Sequence, residues 1–152
     1  MSYLPIQGLN LNKAQAIIGS TTVRYSYEDI NIGDLVSDDA SVTKSSATSL
    51  TLSAGKTYFI YVALSHTHTY TFSYDIYING VQANQCTMRH LTNYVGLSFY
   101  PQNGMAIVAP VGSDAILTIR NLNLGTDVES DTVYFNNADL SQINGAITIF
   151  YK

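Results

Sequence analysis

The sequence holds one local cluster of ligating side chains, Ser65-His66-Thr67-His68. In an extended strand, alternate residues share a face. His66 and His68 would then present two imidazoles side by side, a pair suited to a single transition-metal ion. A metal site needs a third ligand. His90 is the only other histidine, and no carboxylate stands near the pair in sequence. The competing reading is a solvated Ser/Thr/His crossing between two strands, and two histidines alone favour it over a metal.

Other chemistry is thinner. Glycoside hydrolysis needs two placed carboxylates, and the only glutamates, Glu28 and Glu129, stand in polar connections. Asp38-Asp39 and Asp127 with Asp131 could be pieces of a calcium loop, but solvated loop charges are the plainer reading. No Gly-rich phosphate loop, Gly-x-Ser-x-Gly elbow or His-Glu-x-x-His motif occurs. The single cysteine, Cys86, excludes an intrachain disulfide and any multi-cysteine zinc site; a small buried thiol is expected there. Loop tyrosines such as Tyr94 or Tyr100 could stack on sugars, although most tyrosines belong in a core or an interface. The seven Lys and Arg are scattered over a chain of net charge −4. That argues against nucleic acid as a partner. The expectation is a non-enzymatic protein without a cofactor, unless the histidine pair holds a metal.

These residues must be positioned by strands. Charged residues are 12% of the 152, and Thr, Ser, Asn and 12 Tyr carry the polarity instead, a composition that favours strand over helix. Residues 58–64 (YFIYVAL) are apolar on both faces and need cover on both sides. Residues 70–78 alternate, with Tyr70, Phe72, Tyr74, Ile76 and Ile78 on one face. Asn79-Gly80 follows, the signature of a type I′ hairpin turn. Pro101-Gln102-Asn103-Gly104 predicts another turn, and residues 105–111 and 146–151 are again apolar on both faces. Residues 1–20 are the least strand-like: a short helix over 13–18 capped by Asn12, or an extended arm used for attachment. Nine or ten short strands separated by turns predict one all-β domain, a two-sheet antiparallel sandwich or a barrel. There is no charged-then-apolar leader and no apolar run near 20 residues. Neither secretion by a signal peptide nor membrane insertion is therefore expected.

The three two-faced runs carry an assembly argument. A two-sheet sandwich buries only the inner face of each sheet. If 58–64, 105–111 and 146–151 lie in one sheet, its outer face is an apolar patch that soluble monomers seldom expose. Self-association would bury it; so would cover by loops or the N-terminal arm.

Four stretches resemble the tumour-necrosis-factor-like jelly rolls, the superfamily that includes complement globular heads and some bacteriophage fibre and capsid-attached domains. Ala54-Gly55-Lys56-Thr57-Tyr58-Phe59-Ile60 resembles the family's Gly-x-Tyr approach to a central strand, with one extra residue between Gly55 and Tyr58. Ile76-Tyr77-Ile78-Asn79-Gly80 resembles its hairpin. Gly112-Ser113-Asp114-Ala115-Ile116-Leu117 resembles its Gly-x-Asp step into a strand. Ile143-Asn144-Gly145-Ala146-Ile147-Thr148-Ile149 matches its C-terminal strand, with Ile143 and Asn144 where aromatics are usual.

The resemblance implies a ten-strand jelly roll that closes as a homotrimer. Phe59, Tyr61, Ile147, Ile149 and Tyr151 would line the threefold axis. It also suggests three His66–His68 pairs as an octahedral set of six imidazoles. The low charge and the Asn/Thr/Tyr richness resemble phage structural proteins. That implies a virion location, with other virion proteins or a host-surface glycan or receptor as partners. The alternative is a monomeric carbohydrate-binding β-sandwich with aromatic loops as its site.

Overall fold

The computed structural model describes residues 10–18, 22–23, 29–67, 72–83, 88–90, 99–121, 133–134 and 145–152. Every regular element among them is a strand. In chain order these are β1 (Asn12–Ile18), β2 (Thr22–Val23), β3 (Leu35–Ser37), β4 (Val42–Lys44), β5 (Ser49–Leu52), β6 (Tyr58–Thr67) and β7 (Phe72–Ile78). They continue with β8 (Val81–Gln82), β9 (Met88–His90), β10 (Phe99–Val108), β11 (Ala115–Asn121), β12 (Val133–Tyr134) and β13 (Gly145–Tyr151).

All pairings are antiparallel and form two sheets. The first runs β3-β1-β13-β6-β10, with β12 and then β2 attached at the Thr67 end of β6. The second runs β4-β5-β11-β7, with β8 and β9 on the far side of β7. The three two-faced runs of the sequence thus lie side by side, as β10, β6 and β13. Their neighbours in the second sheet alternate cleanly, because its inner face alone meets the core.

The core is built from alternate residues on the inward faces. Tyr58, Ile60, Val62 and Leu64 of β6 and Ala14, Ala16 and Ile18 of β1 meet Leu50 and Leu52 of β5. Tyr74 and Ile76 of β7 and Leu117 and Ile119 of β11 complete the opposite wall. A strap over residues 29–34 closes one side. It buries Ile30 and Ile32, pairs the Ile30 N–H with the Ile119 carbonyl at 2.8 Å, and pairs the Gly33 N–H with the Ile17 carbonyl at 2.6 Å. Arg120 holds the strap's start through Asp29, at 2.7 Å from its Nε.

The Asn79-Gly80 turn has the expected shape. Both residues take positive φ, 51° and 77°, and Ile78 faces Val81 across the hairpin. Asn79 adds more than backbone tolerance: its Oδ1 accepts the Ile116 N–H and its own N–H donates to the Ile116 carbonyl, each at 2.8 Å. The turn is thereby fastened to β11.

Two expectations are corrected. Residues 13–18 are neither a helix nor a free arm. They belong to β1, an interior strand paired along its whole length with β13 and at Ala14–Ala16 with β3. Alternation at Ala14, Ala16 and Ile18 is what places them, because that face meets the core. Residues 101–104 do not turn. They continue β10, each facing a β6 residue from Ser65 to Val62. Among the described residues β10 pairs with β6 alone, so proline sits on an edge strand, where its missing N–H is tolerated.

Candidate interaction surface

Outward side chains of the first sheet follow from the same register. On β6 these are Phe59 and Tyr61. On β10 they are Asn103, Met105 and Ile107, and on β13 they are Ala146, Thr148 and Phe150. Cross-strand pairing sets them in rows. Ile107 faces Phe59, which faces Phe150, which faces Lys13 of β1. In the next row Met105 faces Tyr61, Tyr61 faces Thr148, and Thr148 faces Gln15. Directly opposed residues lie close enough for their side chains to touch.

The result is a contiguous apolar block at the β10–β6–β13 side, bounded by polar Lys13 and Gln15. Its members keep substantial exposure: Phe59 43%, Tyr61 40%, Met105 53%, Ile107 59% and Phe150 39%. A shallow socket of about 180 Å³ lies between them.

Sequence reasoning placed Phe59 and Tyr61 on this face. It misplaced three residues of the last strand. Ile147, Ile149 and Tyr151 are 0% exposed within the single chain. They point inward, so they have no surface left to line an axis. Pairing sets that parity: Ile149 faces Ile60 and Ile147 faces Val62, both core residues, while Phe150 faces Phe59. Phe150, Met105 and Ile107 take their place on the outward face.

Tyr151 has a different task. Its ring lies 5.5 Å from that of Tyr58, and its hydroxyl donates to Asp39 Oδ1 at 2.9 Å. The same Oδ1 accepts the Ser41 N–H at 2.7 Å, and Lys56 Nζ reaches Oδ2 at 3.1 Å. Lys56 also sits 5.1 Å above the Tyr151 ring. Tyr58 donates toward the Ser53 carbonyl at 2.8 Å, with the Ser41 carbonyl at 3.2 Å. Hydrogen bonds from Ser41, and after them from Lys56 and Tyr151, hold the Asp39 carboxyl well below the usual carboxylate range. Burial first, then Tyr151 and Asp39, push the Tyr58 phenol above its ordinary value, so it remains a donor. Asp39 is therefore no loosely solvated loop charge: it ties the β3–β4 connection to the end of β13. Nothing local in the sequence marks it, because its partners are 15 and more residues away except for Ser41.

His66 lies within β6, opposite Tyr100 of β10, so it is part of a strand and not of a crossing loop. His68 lies outside the described residues, as do Cys86, Tyr94, Glu28, Glu129, Asp127 and Asp131. Among the described residues no group of three or more His, Cys, Asp or Glu side chains is placed to hold a metal.

No protein-family model matches the chain, and no curated protein matches it. Solved structures do. The Eiger TNF from S. frugiperda has a TM-score of 0.60 at 13% identity, over 92% of this chain and 91% of that one. The globular domain of zebrafish complement 1qA protein has a TM-score of 0.56 at 10% identity, over 92% of this chain and 95% of that one. At such identities the likeness is one of fold. The chain is an all-β, two-sheet antiparallel sandwich with the jelly-roll architecture of TNF and complement globular domains.

Proposed function

We propose that this chain is a non-enzymatic binding module that works as a homotrimer, assembled through the outward face of β10, β6 and β13. The contiguous block of Phe59, Tyr61, Met105, Ile107 and Phe150 carries the reading. With roughly 200 Å² per large side chain, these exposures leave on the order of 450 Å² of apolar surface. Protein interfaces are a little over half non-polar, so such a block fits a total of roughly 800 Å² per partner, the ordinary size of a stable interface. The threefold symmetry comes from the likeness to the TNF and complement fold. Light scattering across a dilution series tests it: a mass of three chains at micromolar concentration is expected, and a monomer there would sink the proposal.

The finer placement is a virion structural or attachment protein, of fibre or capsid-decoration type, binding other virion proteins or a host-surface glycan or receptor. Low charge and richness in Asn, Thr and Tyr support it. Retention on a glycan array separates surface recognition from a purely structural role. In a trimer, His66 and His68 of three copies supply six imidazoles, a number that suits an octahedral transition metal. Elemental analysis after purification in metal-free buffer tests this, and absence of a stoichiometric metal removes the site.

A further inference from the structure

Beyond Phe59 and Phe150 the apolar block runs into a second, larger depression of about 590 Å³, lined by Leu11, Thr57, Phe59, Phe150 and Lys152. That volume is within the roughly 300–1,000 Å³ of small-molecule sites. The strand register builds it. Thr57 and Lys152 exchange both backbone hydrogen bonds, at 3.0 and 3.2 Å. The pair forms the row next to Phe59 and Phe150 on the same outward face. The floor is two cross-strand phenylalanines and a leucine, and the only charged group in the lining is the Lys152 ammonium. Lys13 flanks the floor beyond Phe150.

The two nearest carboxylates are already engaged. Asp38 accepts the Lys13 backbone N–H at 2.7 Å. Asp39 is held by Ser41, Tyr151 and Lys56. The depression therefore offers an apolar floor beside a positive charge that no lining carboxylate balances. Few small-molecule sites need more polar definition than one such group on a hydrophobic wall.

We infer that this depression binds an apolar monocarboxylate, its alkyl body on Leu11, Phe59 and Phe150 and its head on the Lys152 ammonium. The lining residues all come from one chain, so the site does not depend on assembly. Phe59 and Phe150 also belong to the proposed self-association face, and ligand and partner would meet along them.

The test is calorimetric titration of the full chain with dodecanoate, dodecanol and dodecylammonium, each below its micelle-forming concentration, with mass followed by light scattering. Saturable binding of one dodecanoate per chain, tighter than dodecanol, is expected. Lys152→Met should weaken dodecanoate about threefold or more, as loss of a partly exposed charge pair does, and leave dodecanol unchanged. Lys152→Glu should reverse the preference toward dodecylammonium. The side chain is solvent-facing, so both variants should fold.

Binding by a monomeric wild type would support the inference while refuting the trimer. Four results would overturn it: no saturable binding, equal affinity for dodecanol, indifference to Lys152→Glu, or binding only after residues 1–9 are removed. The last would assign the depression to the chain's own N-terminal residues.

Discussion

Ile107→Asp should dissociate the assembly and leave the fold intact. Ile107 is 59% exposed on the edge strand β10, in register with Phe59. Fully burying an isoleucine is worth about 1.5–3 kcal/mol, so covering the exposed share contributes about 1–2 kcal/mol per copy. The aspartate removes that and adds an unpaired carboxylate to a buried contact, which costs about 3–5 kcal/mol when uncompensated. Across three copies the loss exceeds about 10 kcal/mol, or roughly seven decades in the overall dissociation constant. Concentration enters that constant squared, so the half-dissociation point moves by more than about three decades. Within the monomer the charge faces water on an edge strand, a position where charges are common, and thermal stability should change little. Sedimentation equilibrium and a thermal melt read the two effects separately. The contrasting variant is Ile149→Ala. It lies in the core and should cost about 2–5 kcal/mol of folding stability with no direct effect on mass while folded. If Ile107→Asp keeps the wild-type mass down to nanomolar dilution, the apolar face is not where copies meet. If Ile149→Ala dissociates the protein without lowering its melting point, the assignment of inward and outward faces on β13 is wrong.

Three further outcomes are expected. Gly145→Ala should lower thermal stability by about 1–3 kcal/mol, because a Cβ there would stand 2.9 Å from Leu64 Cδ2 and 3.0 Å from the Ala63 carbonyl; an unchanged melt would refute that crowding. Asn79→Ala should cost about 2 kcal/mol in chemical denaturation. The new residue would hold φ near +51° without asparagine's tolerance and would leave the Ile116 N–H without its side-chain acceptor. Asp39→Asn should lower the melting temperature at neutral pH. The Asp39 carboxyl is depressed in the folded chain, so its contribution is complete above its ordinary value near 3.8 and fades as pH falls below that. The gap between wild type and variant should therefore narrow in acid, and a gap constant from pH 7 to pH 3 would contradict the assignment.

Several elements were legible without coordinates. The Asn79-Gly80 hairpin follows from residue types that accept positive φ, and the alternation of residues 72–78 follows from one buried face. The grouping of 58–64, 105–108 and 146–151 in one sheet followed from a shared anomaly, apolar character on both faces. The phenylalanine and tyrosine of β6 were placed correctly because their strand had an unambiguous inward series at Tyr58, Ile60, Val62 and Leu64. The Pro-Gln-Asn-Gly stretch misled, since those residues favour turns in isolation. Ten residue-by-residue pairings with β6 override that preference, and edge position removes the penalty of the proline. Asp39 was illegible because its network joins Asn12, Lys56 and Tyr151, residues brought together only by the closing of the sandwich.

By itself, the amino-acid sequence determined that this chain builds strands, where its tightest hairpin turns, and that one sheet has apolar residues to spare. Only the tertiary structure decided which of those residues face inward on the last strand. A run such as AITIFY satisfies strand alternation in either parity, because both of its faces are apolar. Pairing with β6 breaks that symmetry: Ile147, Ile149 and Tyr151 align with the core series, and Phe150 is left beside Phe59 on the outside. The surface that most invites a partner is therefore set by register between strands more than eighty residues apart, which no local pattern can encode.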